Sequence, residues 1–360
     1  MWKAKADFWR WFYSRWDQTQ NEPASGYSVM ILVPGDMPFF LKIALDVLAT
    51  QNPEHLSEIL IIPDNRLVPV FTEQMQKWIE NYPIPVRQVH QKPIEKWFTQ
   101  FHKNAHNNCW LQMVRGINAV RTRHALWHDV DLFVLEPNFL KNHYETCVAK
   151  GLSCLGVSKA WDSWFEEQGI YHIVGTWEAI YDVNWVRSFH PWQHRGHEEL
   201  VNGKRHICDI TFWPQYQTPP EQIGRHENEW EFIHFNYVTG TYRRFQNSRG
   251  SFEDERFILL LIRLLIDAYD PNGEVYEVPS LNELMQGIRN SNSRVTYCQP
   301  STLEVYPAFR AKLQKLLQSS LLKPETVATL EAKLSLFEQA LDRMESAPAV
   351  VTDISLCQSG

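Results

Sequence analysis

Ala125-Leu126-Trp127-His128-Asp129-Val130-Asp131-Leu132-Phe133-Val134-Leu135-Glu136-Pro137 is an apolar, strand-like run broken once, by two carboxylates with one residue between them. In a strand alternate side chains share a face, so Asp129 and Asp131 are expected to point the same way at the strand's end. Like charges held that close call for a cation between them. Hard Mg²⁺ or Mn²⁺ binds through one or two carboxylates plus phosphate oxygens and water, which makes the pair a handle for a nucleotide diphosphate. It is the only Asp-x-Asp in the chain. The same three letters also suit a solvated turn, so the surroundings must decide.

Upstream, Tyr27-Ser28-Val29-Met30-Ile31-Leu32-Val33-Pro34 reads as a buried parallel strand, short, β-branched and closed by Pro34-Gly35. Pro38 suits the first turn of a helix carrying Phe40, Leu41, Ile43, Ala44, Leu45, Val47 and Leu48, ended near Asn52-Pro53. Glu58 to Pro63 is a second strand running into the polar turn Asp64-Asn65. A helix over 71–80, a short strand at Val86–Val89 and a helix over 107–121 complete the approach to Asp129. Strands alternating with helices predict an α/β fold, a mostly parallel sheet flanked by helices and joined by right-handed crossovers. Such sheets bind ligands beyond the carboxyl ends of their strands, where the two carboxylates stand.

Downstream, 151–250 is irregular and dense in Trp, His, Gly and Pro, with strands expected at Trp177–Val183 and Glu231–Phe235. Ser251-Phe252-Glu253-Asp254 fits a capping signal for a helix from Phe257 to Tyr269, stopped by Asp270-Pro271-Asn272-Gly273. Residues 303–320 and 324–345 read as a helical hairpin, a C-terminal helical extension, and the last dozen residues as frayed.

Charged residues at 21% and hydrophobic ones at 44% describe a globular chain. A net charge of −7 gives no electrostatic reason to bind nucleic acid, and no nucleic-acid partner is expected. Six cysteines without C-x-x-C spacing, and no signal peptide read ahead of them, suggest neither a zinc cage nor a disulfide framework. A cytoplasmic chain is expected. Within residues 1–20, Trp9, Phe12, Tyr13 and Trp16 fall at helical spacing beside Lys3, Lys5, Arg10 and Arg15. That helix can make weak peripheral contact with the inner face of a membrane, or dock on its own domain.

Taken together, the first 140 residues resemble the nucleotide-sugar-binding half of a GT-A fold glycosyltransferase, most similar to glycosyltransferase family 2. Val29–Pro34 resembles that family's opening strand ending in Pro, and Leu41–Gln51 its first helix. Ile59-Leu60-Ile61-Ile62-Pro63-Asp64-Asn65 resembles its second strand, whose terminal Asp contacts the base. Gly116-Ile117 stands 13 residues before Asp129, as the family's Gly-Ile helix precedes its metal-binding Asp-x-Asp. Two departures stand out: Met113-Val114 replaces an Arg-Asn pair, with Arg115 displaced, and Pro63 replaces the Asp usual before Asp64.

The resemblance implies nucleotide-sugar contacts at Pro34, Asp64, Arg115 and Asp129. It implies Mn²⁺ or Mg²⁺ at Asp129 and Asp131, with His234 as a third ligand. Asp64-Asn65 also suits a plain turn, and a lone imidazole between Phe232-Ile233 and Phe235 also suits a core histidine. The acceptor base is Asp209 by order along the chain, with Asp254 as the alternative by spelling, although Asp254 also reads as a helix cap. Tyr242–Gly250 offers three guanidiniums in what reads as a Gly-ended loop.

The domains expected are an N-terminal helix (1–25), a nucleotide-sugar-binding half (26–145), an acceptor-binding half (146–300), a helical hairpin (301–346) and a tail (347–360). The activity implied is metal-dependent, inverting sugar transfer from a nucleotide-sugar donor to a glycan, lipid-linked or other acceptor. The rival readings are a non-catalytic glycan-binding or scaffold protein of the same fold, and a sugar nucleotidyltransferase.

Overall fold

A computed structural model describes residues 8, 11–12, 14–17, 22–64, 76–80, 82–95, 105–226, 232–269, 276–297 and 299–345. Most of the 1–20 helix, the 71–75 half of the 71–80 helix, the Asp270–Gly273 stop and residues 346–360 lie outside the described residues. The chain forms two compact units, 1–236 and 237–360. The division falls inside the segment expected as one acceptor half, because strands as late as 232–234 still belong with the first unit while the chain turns helical from Val238.

The strands of the first unit are β1 (Ala24–Val33), β2 (Leu56–Pro63), β3 (Val86–Gln88), β4 (Thr122–His128), β5 (Leu132–Val134), β6 (Cys154–Gly156), β7 (Ala179–Asp182), β8 (His197–Val201), β9 (Lys204–Cys208), β10 (Ile223–Arg225) and β11 (Phe232–His234). Seven of them form one sheet in the order β10-β6-β7-β4-β1-β2-β3. β1 to β4 are mutually parallel, whereas β7 runs antiparallel to both β4 and β6. β1 is buried from Gly26 to Val33, and β2 from Ile59 to Pro63, which is why both read as continuous apolar runs with no alternation.

Three helices support the sheet: α1 (Pro38–Leu48), α2 (Ala105–Ala119) and α3 (Phe139–Ala149). Pro38 opens α1, where its missing N–H costs nothing. Gly116 lets α2 lie close on the sheet, since a Cβ there would fall 2.5 Å from Met30 Sδ and 2.6 Å from Ile62 Cδ1. Trp110, Met113, Val114 and Ile117 of the same helix are buried with Met30 and Leu60 in one core.

The opening segment is not one strand. β4 stops at His128, and a turn over Asp129–Asp131 follows, closed by Leu132 N–H donating to Asp129 O at 3.2 Å. β5 then leaves the sheet and pairs antiparallel with β11. Likewise the strand expected from Trp177 begins only at Ala179, because Glu178 is in the left-handed region at φ +51°. At its far end Asp182 caps the helical turn Val183–Ser188 by accepting from Asn184 N–H at 2.8 Å.

Beyond the sheet, Phe165, Ile170, Ile173, Val201 and Phe212 form a second, smaller core that carries the β8–β9 hairpin. Trp16 and Asp17 of the N-terminal segment dock on their own unit. Trp16 Nε1 donates to Phe189 O at 2.7 Å, and Asp17 N–H to Asn118 Oδ1 at 2.9 Å. Among the described residues no helix is long and apolar enough to cross a membrane.

The second unit is helical: α4 (Val238–Asn247), α5 (Ile258–Tyr269), α6 (Leu281–Gly287), α7 (Tyr306–Leu317) and α8 (Pro324–Glu345), with the two-residue strands β12 (Phe252–Glu253) and β13 (Val295–Thr296) pairing in parallel. The basic stretch at 242–247 lies on α4, so Arg243 and Arg244 are helical and not part of a loop. Asp254 is 1% exposed and caps α5, accepting from Ile258 N–H at 3.0 Å and Leu259 N–H at 2.9 Å. The expected hairpin is α7 and α8, tied by Arg310 Nε to Glu338 Oε1 at 2.7 Å.

Candidate functional site

From β1 the chain steps outward through β2 to β3, then returns to place β4 on the other side of β1. That reversal is a topological switch point, which opens a crevice at the carboxyl ends of β1 and β4. The register pairs Ile31 with both Ile61 and His128, so Pro34, Asp64 and Asp129 emerge at one edge of three adjacent strands.

Asp129 and Asp131 reach this edge on the turn after β4, and the β5–β11 ladder brings a third group to them. It pairs His234 with Leu132, directly after Asp131. His234 Nε2 consequently lies 3.2 Å from Asp131 Oδ1 and 3.7 Å from Asp129 Oδ2. One ligand atom from each of the three falls within 4.8 Å of the others. Two carboxylates and an imidazole this close suit Mn²⁺ or Mg²⁺, with positions left for phosphate and water. Burial and the neighbouring Asp131 push the Asp129 pKa up to about 6, against the favourable His234. That crowding is what a cation would relieve.

The surroundings fix these groups. Trp127 Nε1 donates to Asp129 Oδ1 at 2.9 Å, and the Trp177 ring packs on the His234 ring with centroids 4.2 Å apart. Beneath Asp129, His128 Nδ1 and Glu178 Oε2 meet at 2.7 Å, both wholly buried. Trp177, His128 and Glu178 were not legible as site residues, because each acts through a contact between residues distant in sequence, and Trp127 was not because no short motif spells its bond to Asp129.

Of the other expected site residues, Asp64 accepts from Gly35 N–H at 3.0 Å, so its carboxylate pins the turn that carries Pro34. Arg115 is 7% exposed and ion-paired to Glu95 at 2.9 Å and Asp17 at 3.6 Å. The α2 side chain that reaches the strand ends is Gln112, whose Nε2 donates to Val33 O and Ile62 O. Asp209 takes the indole N–H of Trp161 at 3.1 Å. Burial raises the Cys109 thiol and the Tyr181 hydroxyl, and the charges of Asp129 and Asp209 add to both shifts. Asp254, in the second unit, is a helix cap with both oxygens engaged. A further trio, Glu54, His55 and Glu145, is exposed and shares the ammonium of Lys141, 2.6 Å from Glu54 and 3.8 Å from Glu145.

No family model matches the chain, and no curated protein matches it by sequence. Solved structures do resemble it in shape. A galactosyltransferase, LgtC, crystallised with donor and acceptor sugar analogs, is 10% identical with a TM-score of 0.37, the likeness covering 46% of this chain and 62% of that one. The mannosyltransferase PcManGT from Pyrobaculum calidifontis, in complex with GDP-Man and Mn²⁺, is 13% identical over 96% of this chain and 84% of that one, with a TM-score of 0.37. Residues 1–349 of S. aureus TarS are 11% identical over 89% and 91% of the two chains, with a TM-score of 0.38. At such TM-scores the reading of this site rests on its own geometry.

Proposed function

We propose that the chain is a metal-dependent glycosyltransferase that moves a sugar from a nucleotide-sugar donor to a glycan, lipid-linked or other acceptor with inversion. The observation that carries this reading is the convergence of Asp129, Asp131 and His234 at the switch point of a parallel sheet. The ordered resemblance of the first 140 residues to family 2 supports it. Asp129, Asp131 and His234 would hold Mn²⁺ or Mg²⁺. When bound, the ion supplies neutralisation of the diphosphate as the glycosidic bond breaks. Pro34 and Asp64 would border the nucleoside, and Asp209 would accept the proton of the attacking hydroxyl. The turn Val33-Pro34-Gly35-Asp36-Met37-Pro38 lacks the Gly-rich, basic phosphate loop a nucleotidyltransferase wants. A cytoplasmic setting, with the N-terminal segment touching a membrane surface, belongs to the same proposal.

A thermal-shift screen of UDP-, GDP- and dTDP-sugars with Mn²⁺ or Mg²⁺ tests it, because a ligand that binds only the folded state raises its melting temperature. At least one donor should shift the transition only when metal is present. No shift by any donor with either metal overturns the reading, and a shift without turnover on any acceptor leaves the non-catalytic glycan-binding protein.

A further inference from the structure

We propose that Trp161 is the stacking platform of an acceptor subsite that takes a hexopyranose ring, a proposal that rests on the glycosyltransferase reading above. Trp161 is 62% exposed, yet its indole is not left to rotate, because Nε1 donates to Asp209 Oδ2 at 3.1 Å. The segment that bears it is fastened at both ends. Lys159 bridges to Val174 on one side, and on the other Trp164 stacks flat on His206 of β9 at 3.9 Å and 2°. Asp162, between the two tryptophans, is ion-paired to the same His206 at 3.3 Å. An exposed aromatic plane costs solvation, and fixing it removes the entropy a ligand would otherwise have to overcome on binding.

The chemistry around the plane selects the ligand. A purely apolar partner would meet the Asp209 carboxylate beside the indole and leave its charge desolvated. A hexopyranose matches both features, with a face of C–H groups for the ring and a rim of hydroxyls for the carboxylate. Asp209, whose Oδ2 takes the Trp161 indole N–H, is also the residue proposed above to deprotonate the acceptor hydroxyl. The acceptor hydroxyl and the residue proposed to deprotonate it are thereby brought to one place.

Saturation-transfer NMR on the full chain tests this with four probes: methyl β-D-glucopyranoside, methyl β-D-galactopyranoside, methyl α-D-mannopyranoside and methyl N-acetyl-β-D-glucosaminide. At least one should receive saturation on its ring C–H protons. Its dissociation constant should rise at least tenfold in Trp161→Ala and by less in Trp161→Phe, which keeps a π-face, with near-ultraviolet circular dichroism reporting an intact fold in both. Equal binding by wild type and Trp161→Ala overturns the proposal, as does the absence of saturation from all four probes. The donor thermal shift of the wild type separates the two readings. If it is present while the glycoside result fails, only the acceptor subsite is wrong; if it is absent, the transferase reading has failed first.

Discussion

Glu178 Oε2 and His128 Nδ1 meet at 2.7 Å in a wholly buried pair, one residue before the first carboxylate of the candidate metal site. Glu178 holds this bond from a left-handed backbone, φ +51°, which costs an ordinary residue about 1–2 kcal/mol. Removing the carboxylate strands a buried imidazole, so Glu178→Ala should lose about 3 kcal/mol of stability. Glu178→Gly loses the same bond but relieves the backbone, and should be about 1 kcal/mol more stable than the alanine variant. Urea unfolding of the three proteins measures both differences; an alanine variant equal to the glycine one denies the strain.

Asp131→Asn should weaken metal-dependent donor binding at least ~100-fold, since it removes one of two charges that would hold the ion. Calorimetric titration of the Mn²⁺-dependent nucleotide decides it. Unchanged affinity would remove Asp131 from the site.

His234→Ala separates a ligand from a packing residue. The imidazole faces both carboxylates and also packs on Trp177, so some loss of stability, about 2 kcal/mol, is expected from the lost ring. As a ligand it should in addition cost at least ~10-fold in donor affinity per folded molecule. Stability lost with affinity retained would leave His234 as a core histidine.

What could be read in advance follows the range of the interactions. β1 and β2 were legible because strands buried on both faces are apolar throughout, and the α5 cap at Asp254 because capping is local. The break between β4 and β5 was not, because Leu132–Val134 is as apolar as a continued strand and leaves the sheet only to pair with β11, about a hundred residues on. That same long-range ladder seats His234 beside Asp131, which order along the chain could suggest but not place. Arg115 had a family position to recommend it, and its ion pair with Glu95 could not be read from order along the chain.

Asp254 makes the second unit sensitive to pH. Burial holds its pKa up at about 6 from 3.8, against the hydroxyl of Tyr297 and the amides of α5. A folded-state pKa above the unfolded one means the folded form binds the proton more tightly. This contribution to stability is therefore complete below about pH 4 and lost as pH rises through about 6. Asp254→Asn cannot titrate, so between pH 4 and pH 7 the variant should gain on the wild type by roughly 3 kcal/mol, or 1.36 per unit. Chemical unfolding of both proteins at pH values of about 4, 5, 6 and 7 gives the comparison, and parallel curves would contradict it.

The two carboxylates proposed for the acceptor base separate on the same grounds. Asp209 is part-exposed, with one oxygen taking the indole N–H of Trp161 and the other the amide of Ile210. Asp254 is buried, and its oxygens already accept from two amides and from Tyr297 Oη at 2.9 Å, which leaves no approach for a sugar hydroxyl. A base acts on the acceptor and not on the nucleotide, so Asp209→Asn should bind donor and metal as the wild type does while kcat falls by about 10²–10⁴. Asp254→Asn should transfer at nearly the wild-type rate wherever it is folded. Steady-state transfer to any acceptor found for the wild type reads both variants, and proton NMR of the first product reads its anomeric configuration. Loss of transfer in the Asp254 variant alone would reverse the assignment. A product that retains the donor's configuration would count against any single carboxylate acting as base on the incoming hydroxyl, because direct displacement at the anomeric carbon inverts it.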